Sequence, residues 1–199
     1  MSTVAKSNEK KETKAVSIGM HPAVCIWVID MGMQHNDFND ADQHKVYLQF
    51  ETDEMIKIDG VDKPMVIGKQ FTLSLHEKAN LRKELESWRG KPFTKEEENG
   101  FDIKNVLDKP CILNVTHNVK GDRTYANIAA INPVMKGIVV AKAVNEVIHF
   151  DMDDPEREKV LAKLPNWMQD KIKASKTYAK DDAVLFGDFE PLNDEEMPF

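Results

Sequence analysis

A mainly β architecture is predicted by three observations. Apolar residues recur with a period of two in several separate segments. Turn residues stand between those segments, and the clearest helical stripe interrupts the strands only once.

The first strand is expected at residues 23–29, a continuous apolar run that includes Trp27, which suits a central strand. Residues 31–44 are rich in Asn, Asp and Gly and predict a loop. Residues 45–52 alternate, with Val46, Leu48 and Phe50 on one side and Lys45, Tyr47 and Gln49 on the other. A turn region around Asp59-Gly60 is expected over 53–64. Residues 65–75 then alternate again, pointing Phe71, Leu73 and Leu75 inward. Over 76–88 the period lengthens: Leu81, Leu85 and Trp88 fall on one helix face, and Gly90 is placed to end the helix. Thr94 followed by Glu97 predicts a short helix with a capping box. Two further strands follow at 111–116 and 124–131, joined by Lys120-Gly121-Asp122 as a hairpin turn. The first should turn Cys111, Leu113 and Val115 inward, the second Ala126, Ile128 and Ala130.

Three strands, a helix and two strands is the order of a five-stranded OB-fold barrel, whose helix lies between strands three and four. Beyond Pro133 come a connector, an apolar piece at 144–150, an acidic helix at 155–164 and an amphipathic element at 167–172. The division this implies is a disordered arm over 1–19, an OB-fold nucleic-acid-binding domain over 20–135, C-terminal helical padding over 136–175, and a disordered acidic tail over 176–199.

The formal net charge is −7 over 199 residues, which on its face disfavours an anionic partner. Its placement reverses that reading. Seven of the 34 acids fall within 181–199, a stretch without Lys or Arg, and the remaining 27 balance the 27 Lys and Arg of the body. A neutral body can carry a local basic groove. No apolar run approaches the ~20 residues that span a bilayer, and no secretory h-region follows the N-terminal lysines, so a cytoplasmic protein without a membrane partner is expected. Cys25 and Cys111 lie in apolar runs and read as buried free thiols.

Single-stranded nucleic acid is held by aromatic platforms within a cationic groove. Lys45 and Tyr47, with Lys69 at the head of the third strand, supply that mixture, and the fourth-to-fifth strand hairpin adds His117, Lys120, Arg123 and Tyr125. Phe38 in the polar loop, Trp88 and Arg89 are further DNA-contact candidates. No metal or other cofactor is expected. Ala41 breaks the alternation of oxygen ligands in the loop, and Leu48 stands where a calcium loop needs its distal acid. Catalysis is not expected either, since there is no phosphate-cradling Gly-rich loop and no G-x-S-x-G elbow. Asp102-Ile103-Lys104 resembles half a metal-dependent nuclease site but lacks an upstream strand-borne acid.

The last six residues are three acids, Asp194, Glu195 and Glu196, then Met197, Pro198 and Phe199. A terminal aromatic ring serves poorly in a solubilising tail and well in a docking peptide. This tip resembles the protein-interaction tip of bacterial single-stranded DNA-binding proteins. Separately, residues 71–82 (FTLSLHEKANLR), 87–94 (SWRGKPFT), 105–115 and 125–128 (YANI) resemble tailed-phage single-stranded DNA-binding proteins from replication modules. The resemblance covers about 20–175 and departs from the bacterial proteins in lacking a Gln/Gly/Pro-rich linker. It implies sequence-independent single-stranded DNA binding in phage replication or recombination, in the cytoplasm of an infected bacterial cell. The tip would recruit replication or recombination proteins of phage or host. The rival expectations are an RNA-binding OB protein, a metal-dependent nuclease or recombination factor, and a structural phage protein.

Overall fold

The computed structural model describes residues 14–37 and 40–178. Phe38 and the tip residues 194–199 therefore lie outside the described residues. The elements are β1 (Gly19–Asn36), β2 (Ala41–Ile58), β3 (Val61–Thr72), α1 (Asn80–Arg89), α2 (Lys95–Glu98), a 3₁₀ turn (Ile103–Val106), β4 (Pro110–Lys120), β5 (Arg123–Asn132), β6 (Ile148–Phe150), α3 (Arg157–Leu161) and α4 (Asn166–Lys173). Five strands pair antiparallel in the order β3-β2-β1-β4-β5, and β6 adds parallel to β1. The sheet thus has six strands where five are predicted. Among the described residues no ladder joins β3 to β5, so the sheet is not closed into a barrel.

Two side chains bridge the open seam instead. Lys69 on β3 donates from Nζ to the Ile128 carbonyl on β5 at 3.0 Å and to Glu84 on α1 at 2.6 Å. The other Glu84 oxygen accepts from the Ile131 amide of β5 at 2.9 Å. Strand-edge groups that would otherwise be exposed are satisfied by side chains.

The apolar run of β1 is explained by its bulges. Its pairing with β2 shifts between Cys25 and Trp27 and again between Asp30 and Gly32. Cys25 and Val28 enter the main core, while Ile29 and Met31 enter a second cluster built by β6 and the C-terminal helices. Both faces of β1 are therefore covered. On α1, the buried residues are Leu81, Leu85 and Trp88, and Gly90 caps the helix at φ 66°. The Thr94–Glu97 capping box forms both of its hydrogen bonds.

Both predicted polar loops are mostly strand. Residues 31–36 and 41–44 pair as a ribbon, with His35 opposite Asp42 and Asn36 opposite Ala41. The 53–64 region narrows to Asp59 and Gly60, at φ 51° and 82°, which is the two-residue turn matched to strand twist. On β5, a register shift opposite Asn114 and Val115 brings Ile131 rather than Ala130 fully into the core. Helix α1 starts at Asn80, later than predicted, because residues 74–79 form a turn in which Ala79 N–H donates to the His76 carbonyl.

The N-terminal boundary also moves. Val16 is buried, Ser17 N–H donates to Glu54, and β1 begins at Gly19. At the other end, Lys176 pairs with Asp42, Thr177 accepts from the Met33 amide, and Tyr178 is buried. The extension is anchored by Glu51, a buried carboxylate on β2 that accepts from the amides of Val144 and Asn145 and from the Asn145 side chain, all within 2.8 Å. Among the described residues, no helix is long and apolar enough to cross a membrane.

Candidate nucleic-acid interface

Strand register sets which side chains share a surface. Lys45 lies opposite Thr72, Tyr47 opposite Gln70 and Gln49 opposite Gly68, so these point away from the main core. Lys69 lies opposite the fully buried Leu48 and therefore points to the other face. There it is engaged by Glu84 and stands 5.1 Å from the Phe71 ring centroid. Lys69 thus leaves the sheet on the opposite face from Lys45 and Tyr47, with which the sequence pattern groups it.

A cleft of about 430 Å³ opens where β3 ends and the chain turns into α1. Lys45, Lys69, Gln70, Thr72, Ser74, His76, Lys78 and Asn80 contribute to its lining, which includes no acid. Lys45 donates to Gln43 at 2.5 Å and to Thr72 at 2.8 Å, both neutral acceptors. Burial, and then the nearby charge of Lys171, hold its ammonium below the usual lysine range. Among the described residues, no carboxylate lies within ion-pair distance of Lys45, Lys78 or Lys171. Ala79 gives α1 no side-chain cap, so the first-turn amides beside the cleft are left to solvent or ligand.

Tyr47 is half-buried beneath the C-terminal extension. A Cβ at Gly68 would overlap its hydroxyl, and the Trp167 ring meets it edge-on at 6.0 Å between centroids. Burial raises its phenol pKa. Next to this pair, Lys171 donates to Gln70 at 2.9 Å. Trp167, Lys171 and Lys78 are surface groups that strand alternation could not single out. The signal available was the i, i+4 spacing of Trp167 and Lys171 on one helix.

The hairpin candidates divide between two faces. His117 lies opposite Ala126 on the core side and donates to the Val16 carbonyl at 2.7 Å. Lys120 lies opposite Arg123 and Tyr125 opposite Asn118, all exposed. At ~3.3 Å per residue, Tyr125 stands about 10 Å along β5 from the Ile128 carbonyl that Lys69 grips. No hydrogen bond or ion pair joins the hairpin set to Lys45 or Tyr47 among the described residues.

The remaining candidates are held by the fold. Trp88 is buried, its indole N–H donates to the Pro110 carbonyl at 2.8 Å, and its ring packs 5.6 Å from that of Phe50. It presents no face to a base. Arg89 pairs with Glu97 and lies 4.4 Å over the Phe93 ring, while its Nη1 is buried without a hydrogen-bond partner. Asp102 caps the 3₁₀ turn by accepting from the Lys104 amide. Both thiols are buried, which pushes their pKa values up. Among the described residues, no three His, Cys, Asp or Glu side chains are grouped to hold a metal. The chain matches none of the protein families or curated proteins with which it was compared.

Proposed function

We propose that this protein binds single-stranded DNA without sequence preference, as a phage replication or recombination factor with no catalytic role. The observation that carries the reading is the acid-free, lysine-lined cleft at the β3–α1 junction, on a chain whose formal net charge is −7. Lys69 is held by Glu84, but the ammonium groups of Lys45 and Lys78 have no carboxylate partner among the described residues, and such groups at a partly desolvated cleft favour an anion. The strand order β3-β2-β1-β4-β5, with a helix after β3, supports an OB-type body whose seam is bridged by Lys69 and Glu84. In this reading, DNA runs through the cleft toward the exposed Lys120, Arg123 and Tyr125. The acidic tip recruits replication or recombination partners.

A labelled oligo-dT, a duplex of the same length and an RNA of the same length test this by anisotropy titration. The single strand should bind much more tightly than the duplex, with a salt slope of about −0.7 per phosphate contacted. Equal affinity for duplex and single strand overturns the groove reading. Preference for the RNA moves the function to an RNA-binding protein.

A further inference from the structure

The chain has three tryptophans, and the fold treats them differently. Trp27 donates its indole N–H to the Glu146 carbonyl at 3.1 Å, and Trp88 does the same to Pro110. Trp167 is 53% exposed, and its N–H meets no protein acceptor among the described residues. Single exposed apolar residues are common and mean little by themselves. Trp167 differs because its surroundings orient it. Tyr47 meets it edge-on at an interplanar angle of 76°, and Met168 beside it is fully buried, which anchors α4 to the body. A ring fixed at a steep angle to its neighbour and still half exposed keeps surface for another partner.

Its neighbours then specify the partner's chemistry. One helical turn on, Lys171 reaches Gln70, which lies opposite Tyr47 across the β2–β3 ladder. Two residues from Tyr47 is Lys45, opposite Thr72 at the mouth of the lysine cleft. An aromatic surface followed by two cations without carboxylate partners is the pattern that holds a base and then the phosphates beside it. Duplex DNA, with its bases stacked inside, offers nothing to the ring.

We propose that Trp167 is a base-stacking residue. With Lys171 and Lys45 it extends the single-stranded DNA site from the cleft onto the C-terminal extension. The inference rests on the single-stranded DNA reading above and adds to it one stacking station and the side of the cleft toward which the site extends. It also gives the extension a role in binding beyond covering β1.

The full-length protein, oligo-dT and an abasic oligonucleotide of the same length provide the test. Oligo-dT should quench tryptophan emission in the wild type. Trp167→Phe should keep affinity within about threefold while losing most of the quenching, because an aromatic face remains, Trp88 is buried and Trp27 is partly covered. Trp167→Ala should weaken oligo-dT binding by roughly five- to a hundredfold. That loss should vanish on the abasic strand, which a merely structural effect would not do. Lys171→Ala should weaken both strands and flatten the salt dependence. Undiminished quenching in Trp167→Phe, or an equal loss on both strands in Trp167→Ala, removes Trp167 from the site and leaves the DNA-binding reading intact. If Trp167→Ala does not fold, the quenching of Trp167→Phe decides. Failure of the wild type to bind oligo-dT overturns both readings.

Discussion

Glu84 holds two donors at once, the Lys69 ammonium and the Ile131 amide, and so joins α1 to the free edges of β3 and β5. Its side chain is 14% exposed and that of Lys69 is 28%, so solvent screens the pair only partly. Glu84→Gln removes the charge opposite Lys69 and should cost about 1–3 kcal/mol, read as a lower urea midpoint. A freely exposed pair would lose under ~1 kcal/mol. Lys45 has the opposite profile, since its acceptors are neutral. Lys45→Ala should leave the urea midpoint nearly unchanged and flatten the salt slope of DNA binding by about 0.7. Lys69→Ala should lower stability first. His44 gives the residue scale a pH dependence. Its Nε2 donates to Asp30 at 2.6 Å, and this bond, more than the acids at Asp151 and Asp153, raises its pKa above 6.5. A raised pKa in the folded state means the stabilisation is complete below the unfolded value. It is lost as pH climbs through the folded one. Urea midpoints should therefore fall as pH rises from about 6.5 through the higher folded value in the wild type. His44→Gln should remove that fall, and an unchanged pH profile in the variant would assign it to another group.

Elements differ in how openly their residues declare them. Helix α1 was legible because Leu81, Leu85 and Trp88 share a stripe and Gly90 alone can take the left-handed cap without strain. The ends of β1 and β2 were not, because Asn36, Asp42 and Gln43 look like loop residues and pair only because the ribbon continues a ladder begun in the core. Strand β6 is short and lies beside β1 only because the bulge at Ile26 turns Trp27 and Ile29 toward it, a tertiary effect no local period reports. The seat of α4 depends on a small residue for the same reason. Gly68 leaves room for the Tyr47 ring, on which Trp167 rests. Gly68→Ala should displace that ring and loosen α4, costing about 1–3 kcal/mol as overpacking does. Thermal melting would show the loss. A red shift in tryptophan emission would show that it is Trp167 that moves further into water. A lower melting temperature without that shift would place the damage in the sheet.

Across the whole molecule, charge is divided more sharply than shape. The cleft collects lysines without an acid in its lining, while residues 181–199 carry seven acids and no base. The sequence declared the acidic segment openly, because its seven acids fall within nineteen consecutive residues without a base. It concealed Lys78, in the turn before α1, and Lys171 on α4, because only the fold brings Lys78 into the cleft lining and Lys171 to Gln70 beside it. The aromatic partner was concealed likewise, since Tyr47 and Trp167 are 120 positions apart and meet only through the α4 packing. Because these two charge groups belong to one chain, an acidic segment that reaches the cleft would do so at an effective concentration of up to about the millimolar range. It resembles a short phosphate backbone in charge and lacks bases to stack, so it should compete weakly with DNA for the lysines. Removing residues 181–199 should tighten oligo-dT binding about two- to tenfold at low salt, and the gain should fade as the Debye length shrinks toward ~8 Å near physiological ionic strength. Replacing the seven acids by their amides, with the length unchanged, should reproduce the gain, which separates charge from bulk. Dissociation constants for wild type, truncation and amide variant at three salt concentrations provide the measurement. A truncation that gains affinity while the amide variant does not would make the segment a steric obstacle. Three equal affinities at the lowest salt would show that the segment does not reach the cleft.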